Sequence, residues 1–304
     1  MDTDFECVVV GGGAAGLSAA LVLGRARRKT LVIDAGQQSN RPDKGIGGLT
    51  GNNGTPPAEF YERAGAEVDQ HPTVERIDDS VATGRREGGF VLTTGTGDEV
   101  RAANVILATG MKYEYPDLPG LPELWGHDAF HCPFCHGWEA RDGHIAVITQ
   151  STADLMRTRL IQLWTDRVTV LTDGSEIEDA EQAAGLEAAR IPVVEKEVER
   201  LVVVDGSLEA IRFTDGSELE ADSVMVPITM RQRSDLAAQL GAEELGTANP
   251  MIIDALKVDY LQHTSIPGLS AAGDIATLGA PSVAAAIAEG HRAGAGVVHD
   301  IAFS

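Results

Sequence analysis

Two groups of residues in this chain have the types and spacing to do chemistry. The first is Cys132-Pro133-Phe134-Cys135-His136, preceded by His131. Two cysteines separated by two residues close a small disulfide ring, or open to a dithiol, at little conformational cost. Thiolate is the species that attacks a disulfide, so the pair reads as redox chemistry. Gly137-Trp138-Glu139 suits a short helical turn whose backbone N–H groups would favour the thiolate. His136, and beside it His131, are candidate proton carriers, because an ordinary imidazole exchanges protons near neutral pH. Three other chemistries share the pattern. Cys-x-x-Cys-His also attaches haem, which normally requires export, and Asp2, Asp4 and Glu6 stand where an export signal carries positive charge. Zinc would need further ligands, and Cys7, the remaining cysteine, lies in an apolar run. The third is an inert, buried pair of thiols.

The second group is Gly11-Gly12-Gly13-Ala14-Ala15-Gly16, which fits G-x-G-x-x-G. Gly11 allows a tight turn, Gly13 lets backbone approach a pyrophosphate, and Gly16 lets a helix pack on a strand. The elements that must position these glycines are present. Residues 5–10 read as a buried strand holding Cys7, residues 17–24 as a helix, and residues 29–34 as a second strand ending on Asp34. That acid accepts ribose hydroxyls, and the helix start stabilises phosphate charge. Strand, glycines, helix, strand and acid together spell a dinucleotide site. Residues 37–57 read as a long loop over the bound cofactor, residues 58–69 as a helix and 81–100 as a β-meander. Residues 105–110 form another buried strand ending in the small-residue turn Ala108-Thr109-Gly110.

A proline-rich linker at residues 115–122 precedes the cysteines, and a second strand–helix–strand pattern follows them at residues 144–149, 153–164 and 167–171. Its turn, Thr149-Gln150-Ser151-Thr152, has no glycine, so both the tight turn and the approach to a pyrophosphate are blocked. Thr172-Asp173 follows, with no arginine to receive a 2′-phosphate, although Asp173 suits the ribose of NADH. A strand at residues 191–194 and a meander at 198–226 complete this part, and residues 227–245 read as a linker with a helix. Ala271-Ala272-Gly273-Asp274 and a small-residue helix opened by Pro281-Ser282-Val283, another anion-favouring start, return the chain to its first domain. The expected fold class is α/β with two Rossmann-like (three-layer ββα) dinucleotide-binding domains. The first is discontinuous, residues 1–115 and 246–304. The second, residues 116–245, bears the cysteines and a degenerate nucleotide site.

At 304 residues the chain can bury two cores. Its net charge is −22, with 46 acidic residues against 24 basic ones. Such a surface repels nucleic acid and anionic membranes, which excludes both as partners. Three cysteines, an odd number, point away from a secreted disulfide framework and toward a reducing compartment. The uncharged run at residues 8–24 is explained by its glycines rather than by a membrane, and the expectation is a soluble, cytoplasmic protein.

Over its whole length the chain resembles the low-molecular-weight thioredoxin reductases. The residues that carry the resemblance are Gly11–Gly16 with Asp34, Ala108-Thr109-Gly110, Cys132–Cys135, and Ser265-Ile266-Pro267-Gly268 leading to Ala272-Gly273-Asp274. The resemblance implies a homodimer with FAD as cofactor. Gly11, Gly13, Ala14, Ala15, Gly16, Asp34, Ala108, Thr109, Gly110, Ser282 and Val283 are the implied contacts, with Gly273 and Asp274 on the ribityl and pyrophosphate side. It further implies that Cys135 faces the flavin C4a and that Cys132 exchanges with substrate. Two departures stand out. The second glycine loop and the His-Arg-Arg segment for NADPH are missing, and His136 replaces the acid that follows the second cysteine in those reductases. Both departures resemble the FAD-dependent dithiol oxidases of gliotoxin, holomycin and romidepsin biosynthesis, which share His-Cys-Pro-x-Cys-His. The expected activity is therefore oxidation of a small-molecule dithiol, with electrons passed through Cys132, Cys135 and FAD to O2. The alternatives are a thioredoxin reductase-like enzyme driven by NAD(P)H, one reduced by a protein donor such as ferredoxin, and a flavin-bound redox sensor. Trp125, Phe134 and Trp138 either line an apolar substrate pocket or pack in the core.

Overall fold

Residues buried on both faces mark the centre of the first sheet. Cys7, Val8, Val9 and Val10 are all buried, and their side chains alternate between two cores. Cys7 and Val9 face one apolar cluster with Leu17, Leu23, Ala293 and Val297, while Val8 and Val10 face another with Leu31, Leu92, Leu236 and Leu256. Burial pushes the Cys7 thiol far up, so it is a packing residue. The computed structural model describes residues 3–149, 152–246, 251–276, 279 and 281–303. The chain forms two compact units, Met1–Arg41 with Thr55–Tyr113 and Thr229–Ser304, and Pro42–Gly54 with Glu114–Ile228.

The first unit begins with β1 (Phe5–Val10), α1 (Ala14–Arg25) and β2 (Thr30–Asp34), a parallel pair around a crossover helix. Next come α2 (Pro57–Asp69), β3 (Val74–Asp78), β4 (Val81–Arg86), β5 (Phe90–Thr94), β6 (Glu99–Leu107) and β7 (Met111–Glu114). The sheet order is β3-β2-β1-β6-β5-β4. The sequence pattern does not reveal β3, for a physical reason. Only Val74 of its five residues is buried, so this edge strand is held by backbone pairing to β2 and shows no apolar alternation.

The second unit contains α3 (Leu121–Leu124), β8 (Ala129–Phe130), α4 (Pro133–His136), β9 (Ile145–Ile148), α5 (Thr152–Ile161), β10 (Val168–Leu171), α6 (Ala180–Ala188) and β11 (Val193–Val194). An antiparallel ribbon of β12 (Val198–Val204), β13 (Ser207–Phe213) and β14 (Glu218–Glu220) follows, then β15 (Ser223–Met225). The main sheet is parallel, in the order β11-β10-β9-β15-β8.

The chain then returns to the first unit through β16 (Thr229–Gln232), α7 (Leu236–Leu240), β17 (Leu269–Ala271) and α8 (Val283–Phe303). There β16 pairs with β7, and β17 adds in parallel to the end of β6. Residues 229–245 thus cluster with the first unit, because Leu236, Ala237 and Leu240 fill its core. Residues 42–54, the middle of the expected cofactor loop, cluster with the second. No helix among the described residues is long and apolar enough to cross a membrane.

Candidate active site

The cysteine loop is built by α4. Pro133 opens the helix at a position that needs no N–H donor, and Cys132 is its N-cap. The short helix begins between the thiols and ends at His136, and the run after it continues as a turn in which Ala140 N–H donates to the His136 carbonyl at 3.0 Å. The Cys132 carbonyl accepts the N–H groups of Cys135 and His136, both at 3.2 Å. The pair is in the dithiol form. A hydrogen bond from the Cys135 thiol, joined by the N–H groups of Cys135 and Phe134 and by the His136 charge, outweighs burial and pulls the Cys132 thiol down to about 7. A large fraction of Cys132 is then thiolate at neutral pH, the form that does the chemistry.

His136 is buried at 8% exposure and stacks on the fully buried Phe130, with ring centroids 5.5 Å apart and planes 16° apart. Its Nε2 lies 3.6 Å from Asp43 Oδ1, an ion-pair distance longer than a hydrogen bond. Neither ring nitrogen has a hydrogen-bond partner among the described residues. Burial acts to lower its pKa, but the Asp43 carboxylate, then Cys132 and Glu139, outweigh it and leave the imidazole raised. Asp43 arrives on the loop Pro42–Gly54. That loop presses so closely on the cysteines that a Cβ on Gly47 would lie 2.2 Å from the Cys135 carbonyl oxygen. Sequence reading missed Asp43, which has no motif around it.

His131 is pushed the other way. Burial first, then the charges of His136 and Arg157, take it down to about 3, so its ring is neutral. It stacks on Trp125 at 5.8 Å, and Trp125 in turn packs on Tyr115 at 4.6 Å. Arg157, paired with Asp154, donates to the His131 carbonyl at 3.4 Å. Trp125 is thus a packing residue. Phe134 and Trp138 are 65% and 63% exposed, with Phe134 edge-on to Trp164 and Trp138 beneath the Arg141 guanidinium.

The glycine motif and its partners converge at the carboxyl ends of β1, β2, β6 and β17 in the first unit. Gly11 has φ +104°, and a Cβ on it would meet the Ala108 carbonyl oxygen at 2.3 Å. A Cβ on Gly16 would meet the Gly11 carbonyl oxygen at 1.8 Å, whereas one on Gly13 would only touch Gln38 Cγ at an ordinary 3.7 Å. Gly13 caps α1 without a side-chain bond, and no acid sits in the first turn, Ala14 and Ala15 included. The open, donor-rich helix start therefore fits an anionic pyrophosphate. Asp34 accepts Gly12 N–H at 2.9 Å and the Gln38 amide at 3.0 Å, which fixes its carboxylate at the end of β2. Gln38 is a further residue not foreseen. Ala108 continues β6 by bonding to Val10, Thr109 follows it, and Gly110 turns the chain at φ +59°. Gly273 (φ +80°) lies over Ala15 and donates to Glu289 at 2.9 Å, and Asp274 follows it. Ser282 accepts from Ala285 N–H at 3.1 Å, ahead of Val283. These residues fit FAD.

In the second unit the corresponding turn, Thr149–Thr152, lies largely outside the described residues. The end of β10 is described. Asp173 has a left-handed backbone, φ +51°, and its Oδ1 accepts Val198 N–H at 2.8 Å. That bond fixes the carboxylate at the end of β10 and leaves its second oxygen as an acceptor. Among the described residues, no cluster of three His, Cys, Asp or Glu has the geometry to hold a metal.

Residues 5–290 match the family model for pyridine nucleotide-disulphide oxidoreductases. A thioredoxin reductase of Claviceps purpurea (strain 20.1), tcpT, is 30% identical over 300 residues, covering 95% of this chain and 92% of that protein. The crystal structure of HlmI superposes with a TM-score of 0.92 at 32% identity, covering 98% of this chain and 93% of the other. The structure of an oxidoreductase from Agrobacterium tumefaciens gives 0.91 at 32% identity, covering 98% and 99%. With the cysteine loop and the glycine cradle in place, the chain belongs to the pyridine nucleotide-disulphide oxidoreductase family, as a thioredoxin reductase-like, FAD-binding disulfide oxidoreductase.

Proposed function

We propose that the protein oxidises a small-molecule dithiol to its disulfide and that O2 is the final oxidant. The balance is one dithiol plus one O2 giving one disulfide plus one H2O2. FAD, when bound, supplies a two-electron acceptor that O2 can reoxidise. The chain's own residues do the rest. With Cys132 and Cys135 joined as a disulfide, a substrate thiol gives its proton to His136 and its sulfur attacks Cys132, releasing Cys135 as thiolate. The second substrate thiol gives its proton to solvent, its sulfur attacks the substrate sulfur of the mixed disulfide, and Cys132 departs as thiolate. The N–H groups of Cys135 and Phe134 and the His136 charge favour the Cys132 thiolate as it departs. Asp43 is the positioning partner that keeps His136 able to hold the proton. His131, neutral at working pH, orients the loop instead. The opposite shifts of the two histidines support this division of roles. Phe134 and Trp138 offer exposed aromatic surface to an apolar substrate.

The observation that carries oxidase over reductase is the end of β10. Asp173 is held there by Val198 N–H, and no cation follows it for a 2′-phosphate. Reduction of a disulfide by NADPH is the second reading, favoured by the thioredoxin reductase name of the relatives. The test is aerobic turnover with a small dithiol such as dithiothreitol, measuring disulfide and H2O2 together. Equal yields, lost in Cys132→Ser and in Cys135→Ser, are expected. Turnover without H2O2, or unchanged in either variant, would overturn the reading.

A further inference from the structure

Outside the cysteine loop, one cluster of polar side chains in the first unit has no assigned role. Tyr113 Oη donates to Asp274 Oδ2 at 2.9 Å. Arg233 contributes its positive charge to the same carboxylate, and its Nη2 donates to Ser39 Oγ at 2.8 Å. Ser39 in turn donates to the Met111 carbonyl at 2.6 Å. Tyr113 lies on β7 and Arg233 just past β16, the paired strands that precede the chain's exit from the first unit and follow its return. We infer that Tyr113 and Arg233 are positioning residues that hold the Asp274 carboxylate in place for the hydroxyls of FAD. The inference rests on the reading of Asp274 as a cofactor contact.

The physical case is that Asp274 needs support. Burial disfavours its carboxylate and raises its pKa, while the Tyr113 hydrogen bond and the Arg233 charge oppose that rise. Around it stand Tyr113 from β7, Arg233 after β16, and Glu289 on α8, whose carboxylate accepts the neighbouring Gly273 N–H. A protonated Asp274 would lose acceptor capacity, so these partners keep it able to receive hydroxyls. The phenol also fixes one of its two oxygens, which leaves the other to be aimed. Tyr113, on β7, and Arg233, in the second linker, belong to no motif of their own.

FAD affinity, measured by dialysis of the holoenzyme and flavin fluorescence, tests this without reference to turnover. Tyr113→Phe should weaken FAD binding by about tenfold, near the low end for a lost hydrogen bond to a charged group. Arg233→Met should act in the same direction, and Arg233→Lys should recover most of the loss because the charge is what matters. Without either support the Asp274 pKa rises, so acid release of FAD should begin at higher pH in Tyr113→Phe and Arg233→Met. A purely structural defect would not move that midpoint. In an Asp274→Asn background the Tyr113→Phe effect and the pH shift should both vanish. If Asp274→Asn weakens FAD but Tyr113→Phe does not, the inference is wrong and the site stands. A full Tyr113→Phe effect in the Asp274→Asn background would also overturn it, by showing that Tyr113 acts independently of Asp274. FAD held as tightly by Asp274→Asn as by the native protein would instead remove both the inference and the reading beneath it.

Discussion

At the scale of single residues, three side chains govern the thiol chemistry. The Cys132 thiol is lowered from 9.0 to about 7, with the Cys135 thiol as the first cause and the His136 charge among the rest. Alkylation of Cys132 by iodoacetamide in the reduced enzyme should therefore show a midpoint near 7. His136→Ala should move that midpoint upward, because the cation is gone. Asp43→Asn should move it the same way, because His136 then loses its proton at lower pH. Peptide sequencing of the labelled site distinguishes Cys132 from Cys135, and a midpoint unmoved in both variants would show that the His136 charge does not reach the sulfur. His136→Ala should also slow the reaction of substrate thiol by roughly 10²–10⁴-fold at neutral pH, the usual worth of a general acid–base group. The deficit should shrink as pH rises and the thiol ionises unaided. Cys132, Cys135 and His136 are legible in the sequence because they are neighbours in it. Asp43 is not, because only folding brings its loop to the histidine.

At the scale of elements, the loop Pro42–Gly54 and helix α4 form the working unit. Gly47 has no room for a methyl group against the Cys135 carbonyl, so Gly47→Ala must displace either the loop or the cysteines. Overpacking of this kind costs about 1–3 kcal/mol. Gly47→Ala should lower the melting temperature and slow thiol exchange together, and scanning calorimetry with stopped-flow kinetics would check both. An unchanged rate with lowered stability would mean that Asp43 is not needed at its observed distance. The sequence displays β1, α1, β2 and the glycine turn plainly, since burial on both faces and the turn leave unmistakable patterns there. It displays α4 less well. Pro133 is a helix opener as readily as a breaker, and its role became visible only with Cys132 as N-cap. The β3 strand stays hidden because four of its five side chains face water.

At the scale of the whole molecule, the two-domain α/β architecture and its cofactor are legible from motifs alone, while the borders are not. Residues 229–245 join the first unit through Leu236 and Leu240, whose apolar spacing fits either unit equally well in sequence. The net charge of −22 bears on substrate choice. Dithiols carrying carboxylates should react more slowly than neutral ones of similar shape, and their kcat/KM should rise with added salt while that of neutral dithiols stays flat. A fall with salt would mean that a local cationic site recruits anions despite the global field.

The direction of electron flow is the central question for the whole molecule. Its most direct measurement mixes the holoenzyme, without oxygen, against NADPH, NADH or a small dithiol at millimolar concentration and follows the visible flavin absorbance. The dithiol should bleach it rapidly, and neither nucleotide should do so within minutes, NADH being the stricter control because Asp173 is itself an acid. Admitting air should then restore the colour and release one H2O2 for each disulfide formed. Rapid, saturable bleaching by either nucleotide would contradict the oxidase and establish a reductase.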